Sequence, residues 1–282
     1  MKTIIKNLKG MLAHSLIYRI SIIYLLLLIF ICVLAPFIPI DPNQTDVSQL
    51  SQLPSFKHFF GTDEVGRDYF IRVIYGGRIS LTVGILAMLT ATTIGSLVGL
   101  ISGYFGGKID QILMRIVDIL SSIPWLVLVI VLSVFLKPGF GTIILVIGGF
   151  SWMSIARLIR AETLSVKSRD YVLYAQFLNR PFIYIIQKHI LPAILPTLIV
   201  ASSLSISGAI MTESALSFLG IGIQQPLASW GSLLQNAQTS LQKAPHMAIL
   251  PGIFIICTIY SLNNLGEMLK NYLQRKNEIG EK

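Results

Sequence analysis

The stretch RLIRAETLSVKSRDYVLYAQFLNRPFIYIIQK, from Arg157 to Lys188, sets mixed, basic sequence between apolar runs. Arg157, Arg160, Lys167, Arg169, Arg180 and Lys188 against Glu162 and Asp170 leave it at +4. Within it, Tyr171, Tyr174, Ala175 and Leu178 fall at i, i+3, i+4 and i+7, the spacing of one helical face. Asn179 then suits a left-handed helix end, Pro181 pushes Arg180 to extended backbone, and a second short helix is predicted from Phe182. Its apolar face is Phe182, Ile185, Ile186 and His189, and Leu191 and Pro192 lead onward. Such a helix–turn–helix platform either rests on lipid headgroups or enters a groove on another protein.

The flanking runs supply the membrane. A hydrocarbon core of about 30 Å takes roughly 20 helical residues. Six stretches meet that length: Ile20–Ile40, Ile79–Ser102, Ile112–Leu136, Phe140–Ile159, Ile194–Ala215 and Met247–Leu269. With 54% of the 282 residues hydrophobic and 12% charged, there is no room for a separate water-soluble domain. The chain reads as one all-α integral membrane domain over 20–270, between an N-terminal segment (1–19) and a tail (271–282). The first run follows Lys2, Lys6, Lys9 and Arg19 but ends Ala35-Pro36-Phe37 without a signal-peptide cleavage pattern, so it reads as an anchor. Cys32 and Cys257 lie in separate apolar runs and read as buried thiols. Pro124 predicts a kink in the third run.

Orientation follows from the basic residues. With both termini on one side, sixteen of the 22 Lys and Arg share that side. Six remain opposite: Lys57, Arg67, Arg72, Arg78, Lys137 and Lys243. Inner-membrane proteins keep their basic residues cytoplasmic, which predicts N-in/C-in, with 160–192 inside and the loops 41–78 and 217–244 outside. The same bias accounts for the net charge of +9 without nucleic acid.

The first outward loop holds Gly61, Thr62, Asp63, Gly66, Arg67 and Asp68. Glycines for tight turns, Thr62 or Asp63 as a helix cap, and a near balance of acids and bases predict a turn-rich surface loop. The second mixes Gly220, Gly222, Pro226, Trp230 and Gly231, which suits a segment dipping into the interface with its tryptophan in the headgroups. Two acids lie within spans. Asp118 reads as structural, with Arg115 one turn earlier as its partner. Glu213, followed by Ser214 and Ser217, reads as a fastener between the fifth span and the outer loop.

These pieces together resemble the permease subunits of ATP-binding-cassette importers, specifically the C-type subunit of the dipeptide, oligopeptide and nickel transport family. The resemblance covers nearly the whole chain. It rests on Phe60-Gly61-Thr62-Asp63 with Gly66-Arg67-Asp68, on Tyr75-Gly76-Gly77-Arg78-Ile79-Ser80-Leu81, and on Gly103-Tyr104-Phe105-Gly106-Gly107. Arg169-Asp170-Tyr171-Val172, His189-Ile190-Leu191-Pro192 and Glu213 through Gly222 continue it. It implies a six-span, type I importer transmembrane domain in a bacterial inner membrane, with a coupling helix that contacts an ATPase through Tyr171, Tyr174, Ala175, Leu178, Asn179, Pro181, Leu191 and Pro192. It further implies a B-type permease as partner, two ATPases using ATP and Mg, and an extracytoplasmic binding protein. Peptides, nickel or metal chelates are the implied cargo.

The chain departs from that family at the platform. Where relatives carry Glu-Ala-Ala and later a glycine, it has Leu173-Tyr174-Ala175 and Asn179. The acidic contact is therefore not carried over, while the turn is, since Asn follows Gly in tolerance for the left-handed conformation.

Catalysis by the chain itself finds no support. Its nearest approach to a phosphate-binding loop, at Gly107-Lys108, has Ser102 and Ile109 where Gly and Ser or Thr belong. His14, His58, His189 and His246 fall in separate segments, without metal-ligand spacing or a nucleophile beside a base. A gradient-driven transporter or channel is the rival reading; it would place ion-handling acids near the midplane, often in two related halves.

Overall fold

The computed structural model describes residues 15–137 and 139–280. Lys2, Lys6, Lys9 and His14 of the N-terminal segment, and the last two residues of the tail, lie outside the described residues. In chain order the helices are α1 (Leu16–Leu34), α2 (Tyr69–Phe105), α3 (Gly107–Ser121), α4 (Trp125–Leu136), α5 (Phe140–Lys167), α6 (Asp170–Phe177), α7 (Phe182–Ile185), α8 (Leu191–Phe218), α9 (Trp230–Ala237) and α10 (His246–Gly280). A π-helical turn, Ile186–Ile190, joins α7 to α8.

Among the described residues, five helices are long and apolar enough to cross a membrane: Leu16–Phe37, Tyr69–Phe105, Phe140–Lys167, Phe182–Phe218 and His246–Leu273. The predicted run Ile112–Leu136 is not one helix. Pro124, with ψ at 115°, separates α3 from α4, so the expected kink is a full break. Proline lacks the N–H that would continue the ladder and disfavours helical backbone just before it.

Boundaries also move. The outer loop was expected to run to Arg78, but helical backbone begins at Tyr69 because Asp68 caps it, its Oδ1 accepting from Ile71 N at 3.0 Å. Helical backbone likewise precedes Ile194, continuing from Phe182 through the π turn.

α2 and α5 form the centre of the bundle. Cβ atoms added to Gly95, Gly99 and Gly103 would each stand 2.7 Å from an α5 atom, namely Ile155 Cβ, Ala156 O and Thr163 Cβ. The two backbones are thus in direct contact. In lipid, where apolar tails compete equally for apolar side chains, such close van der Waals packing is what holds helices together. α8 meets α2 at Gly84, where a Cβ would lie 2.8 Å from Ile210. α1 joins α10 through Tyr24 Oη and Thr258 Oγ1 at 3.1 Å, and through Asn264 Nδ2 donating to Ser21 Oγ at 3.1 Å. Cys32 is buried beside Trp230 and Gly77, whereas Cys257 is only partly buried, and both are free thiols.

Candidate functional site

At the platform end, α6 follows α5 after a tight turn at Ser168 and Arg169, and Asp170 in its first turn complements the helix dipole. The predicted docking face is divided by the structure. Ala175 is only 5% exposed and packs with Val172, Ile185, Ile190 and Ile159 in one apolar cluster. It therefore backs α6 onto the chain's own bundle. The outward surface is Tyr171, Leu173, Tyr174, Phe177 and Leu178, with Tyr174 65% and Phe177 82% exposed. Phe177, absent from the sequence-derived face, is the most exposed of these.

The end of α6 takes the conformation expected of Asn179, whose φ is +53°. Asn179 N donates to Gln176 O at 2.9 Å and Arg180 N to Ala175 O at 3.2 Å, the paired bonds of a Schellman motif. Pro181 stands just before α7 rather than inside it. Phe182 packs its ring on Tyr104 and Phe105 at the end of α2, with centroids 4.7 and 4.9 Å away. Leu191 and Pro192 open α8, Leu191 half-buried and Pro192 exposed.

Charge locks this end. Arg160 Nε and Nη2 each meet an Asp110 carboxylate oxygen at 2.5 Å, and Ser102 Oγ bonds the same carboxylate. Lys167 Nζ donates to Tyr104 O at 2.5 Å. Asp118 pairs with Arg157 of α5, Nη2 to Oδ1 3.0 Å, and not with Arg115 as expected. The pair is exposed on both sides, so it contributes little by itself.

At the opposite, cap end, Gly61, Thr62, Asp63, Gly66, Arg67 and Asp68 come together. Gly61 and Gly66 take φ of +74° and +79°, where added Cβ atoms would collide with the backbone of Gln52 and Asp46. The surface-loop expectation fails at Thr62, Asp63 and Arg67, which are buried. Asp63 caps no helix. Its Oδ1 accepts from Val65 N at 3.0 Å and Arg67 N at 2.9 Å, and its Oδ2 from Arg67 Nε at 2.6 Å. Asp68 Oδ2 meets His58 Nδ1 at 2.9 Å, and His58 Nε2 meets Gln49 Oε1 at 2.7 Å.

Glu213 is wholly buried and sits at a junction. Ser80 Oγ donates to its Oε2 at 2.9 Å and Ser217 Oγ to its Oε1 at 2.7 Å. Those serines accept in turn, Ser80 from Trp230 N at 3.2 Å and Ser217 from Ile223 N at 2.9 Å. The carboxylate thus organises α2, α8, the Gly220–Ile223 turn and the start of α9. Trp230 does not reach the headgroups. It is buried, its Nε1 donating to Val73 O at 3.0 Å, and Ser229 and Ser232 form a capping box around it.

Sequence reasoning missed Ser80 and Trp230 as Glu213's network, and Arg160 with Asp110. Among the described residues no group of three His, Cys, Asp or Glu could hold a metal. What the arrangement offers is mechanical: a braced aromatic knob at one end and a hydrogen-bonded cap at the other.

A family profile described as "Binding-protein-dependent transport system inner membrane component" matches residues 95–279. The chain is 40% identical to the oligopeptide transport system permease protein OppC of Haemophilus influenzae over 90% of this chain and 83% of that one. It is 39% identical to the dipeptide transport system permease protein DppC of Bacillus subtilis, over 90% and 80%. The glutathione transport system permease protein GsiD of Pectobacterium atrosepticum is 37% identical, over 90% and 85%. Among solved structures, a chain of the inward-facing MetNI methionine ABC transporter superposes with a TM-score of 0.60 at 17% identity, covering 72% of this chain and 97% of that one. With apolar helices, a braced platform and relatives of nearly full length, the chain belongs to the family of binding-protein-dependent transport system inner membrane components, as a multi-pass permease subunit of an ABC importer.

Proposed function

We propose that the chain forms one half of the translocation path of an ATP-driven importer of short peptides. A B-type permease would complete the path, two ATPases would dock on the platform, and an external binding protein would deliver cargo to the cap end. ATP and Mg would be used by the ATPases, with no cofactor held by this chain. We infer six crossings with both termini cytoplasmic: the five long helices, and α3 with α4 as a broken third crossing over 112–136. Within 112–136, at 1.5 Å per residue, these two pieces reach roughly 15 and 18 Å, enough jointly to span.

The observation that carries the reading is the α6 knob. Tyr174 and Phe177 face outward while Val172 and Ala175 are fixed in the bundle, so a push on the knob would pass to α5 and α8. Closure of the ATPases would thus change which end of the path is open. Peptide cargo is supported by relatives named for oligopeptide, dipeptide and glutathione transport.

The test is reconstitution. The full complex should take up labelled peptide only with ATP on the platform side, and the chain alone should neither hydrolyse ATP nor support uptake. Uptake by the chain alone under an ion gradient would replace this reading with a secondary transporter.

A further inference from the structure

A cavity of about 370 Å³ opens at the cap end, between the first turns of α2, Phe140 at the start of α5 and the Pro226–Ala228 turn. Its wall holds two arginines, Arg72 and Arg78, and no carboxylate. Arg72 is only 1% exposed. Its Nη1 donates to Pro42 O at 3.2 Å and Asn43 Oδ1 at 3.1 Å. Its Nε and Nη2 have no exposed surface and no hydrogen-bond partner among the described residues. Asp63 Oδ2 lies 3.7 Å from Nε but is already bonded to Arg67 at 2.6 Å. Arg78 is exposed and forms no ion pair among the described residues.

Arg72 Nε and Nη2 are closed off from the cavity, so Arg72 brings its buried charge to the wall, while the exposed Arg78 guanidinium presents a planar fork of donors that matches a carboxylate. The cavity exceeds the roughly 30 Å³ share of a water more than tenfold, and Tyr75, Phe140 and Leu227 give it apolar walls. The arrangement fits a small molecule with one anionic end and an apolar body.

We propose that this cavity receives the free C-terminal carboxylate of a cargo peptide, held by Arg78 with the buried Arg72 charge behind it, and with the adjoining side chain against the apolar walls. The proposal rests on the peptide-importer reading above. It adds a recognition step on the permease itself: peptides blocked as amides would be handled less well even when the binding protein delivers them.

The experiment uses this chain paired with its B-type partner in nanodiscs of zwitterionic lipid. N-acetyl-dialanine is the probe, as free acid and as amide. The acid should bind about tenfold or more tightly than the amide, and Arg78→Gln should abolish that preference, since one charge-assisted hydrogen bond carries about that factor. Arg78 is exposed, so this variant keeps the fold; Arg72→Gln, checked for folding by thermal unfolding, should act in the same direction. Equal binding of acid and amide, or a preference unchanged in both variants, would overturn the site. Displacement of the acid by added phosphatidylglycerol would assign the cavity to a lipid headgroup and likewise overturn it. Uptake by the full complex separates the two readings. Peptide uptake without acid preference would remove the site and keep the importer. Acid preference without any peptide uptake would keep the carboxylate site and remove the cargo assignment.

Discussion

Arg160 grips Asp110 with both arms of its guanidinium, joining residues fifty apart in sequence where α5 leaves the bundle for the platform. Arg160 and Ser102 together hold the Asp110 carboxyl below the usual carboxylate range. Because folding lowers this pKa, the contribution to stability is complete above the unfolded value of about 3.9 and fades only as pH falls below it. The pair is therefore intact at neutral pH, and mutation rather than titration is the way to open it.

Asp110→Asn and Arg160→Gln should each lower the thermal stability of the chain purified with its proposed B-type partner, the permease pair. The double variant should lose less than their sum. Both side chains are partly exposed, so the coupling should be roughly 1–2 kcal/mol, below that of a fully buried pair. Additive losses would show that the pair does not act as a unit.

The same pair shows where the sequence is opaque. Asp110 and Arg160 lie on separate helices, and no local pattern links them. The long apolar runs α1, α5 and α10 are legible because a membrane span needs composition more than order. From Tyr171 to Leu178 only Gln176 is strongly polar, so the i, i+3, i+4 spacing fits more than one face, and burial chose Val172 and Ala175. Trp230 misleads for a similar reason, since interfacial and buried tryptophans share the same neighbours in sequence. Asn179 is legible because its requirement is local: one residue, one backbone conformation.

Glu213 should tolerate loss of charge better than loss of its acceptors. Glu213→Gln keeps one carbonyl oxygen for Ser80 or Ser217 and should cost about 1 kcal/mol. Glu213→Leu leaves both hydroxyls without an acceptor and should cost about 2–4 kcal/mol. Thermal unfolding of the permease pair measures both. Equal losses would mean that the carboxylate charge, not the hydrogen bonding, fastens α2 to α8.

Topology can be read with single cysteines in a background lacking Cys32 and Cys257. The inferred orientation puts Phe56, on the exposed loop before α2, outside the cell, and Ser168 inside. Phe56→Cys should react with an impermeant thiol reagent in intact cells, and Ser168→Cys only after the cells are opened. The reverse pattern would invert the chain and remove the platform from the ATPase side.

Asn179 tests the turn. Asn179→Gly should leave platform and transport intact, because glycine takes positive φ without steric cost. Asn179→Val forces a β-branched residue into the left-handed region and should cost roughly 1–2 kcal/mol, with reduced uptake by the complex. Normal stability of the valine variant would show that the loop ends α6 in another way.

The strongest separation lies between two neighbours on α6. Phe177 faces outward and Ala175 inward, so charges placed on them should fail differently. Phe177→Asp exposes a carboxylate to water in the free chain at no internal cost. Against an ATPase groove, however, it must be desolvated, which costs several kcal/mol. That variant should insert normally and pair with the B-type permease, yet lose the ATPases in pull-down and lose uptake. Ala175→Arg instead drives a long cation between Val172 and Ile185, so it should destabilise the permease before any partner binds. Thermal unfolding of the pair without ATPases distinguishes them: a drop for Ala175→Arg and none for Phe177→Asp. If Phe177→Asp keeps both its ATPases and full uptake, the aromatic face does not dock them, and the platform lies on lipid instead.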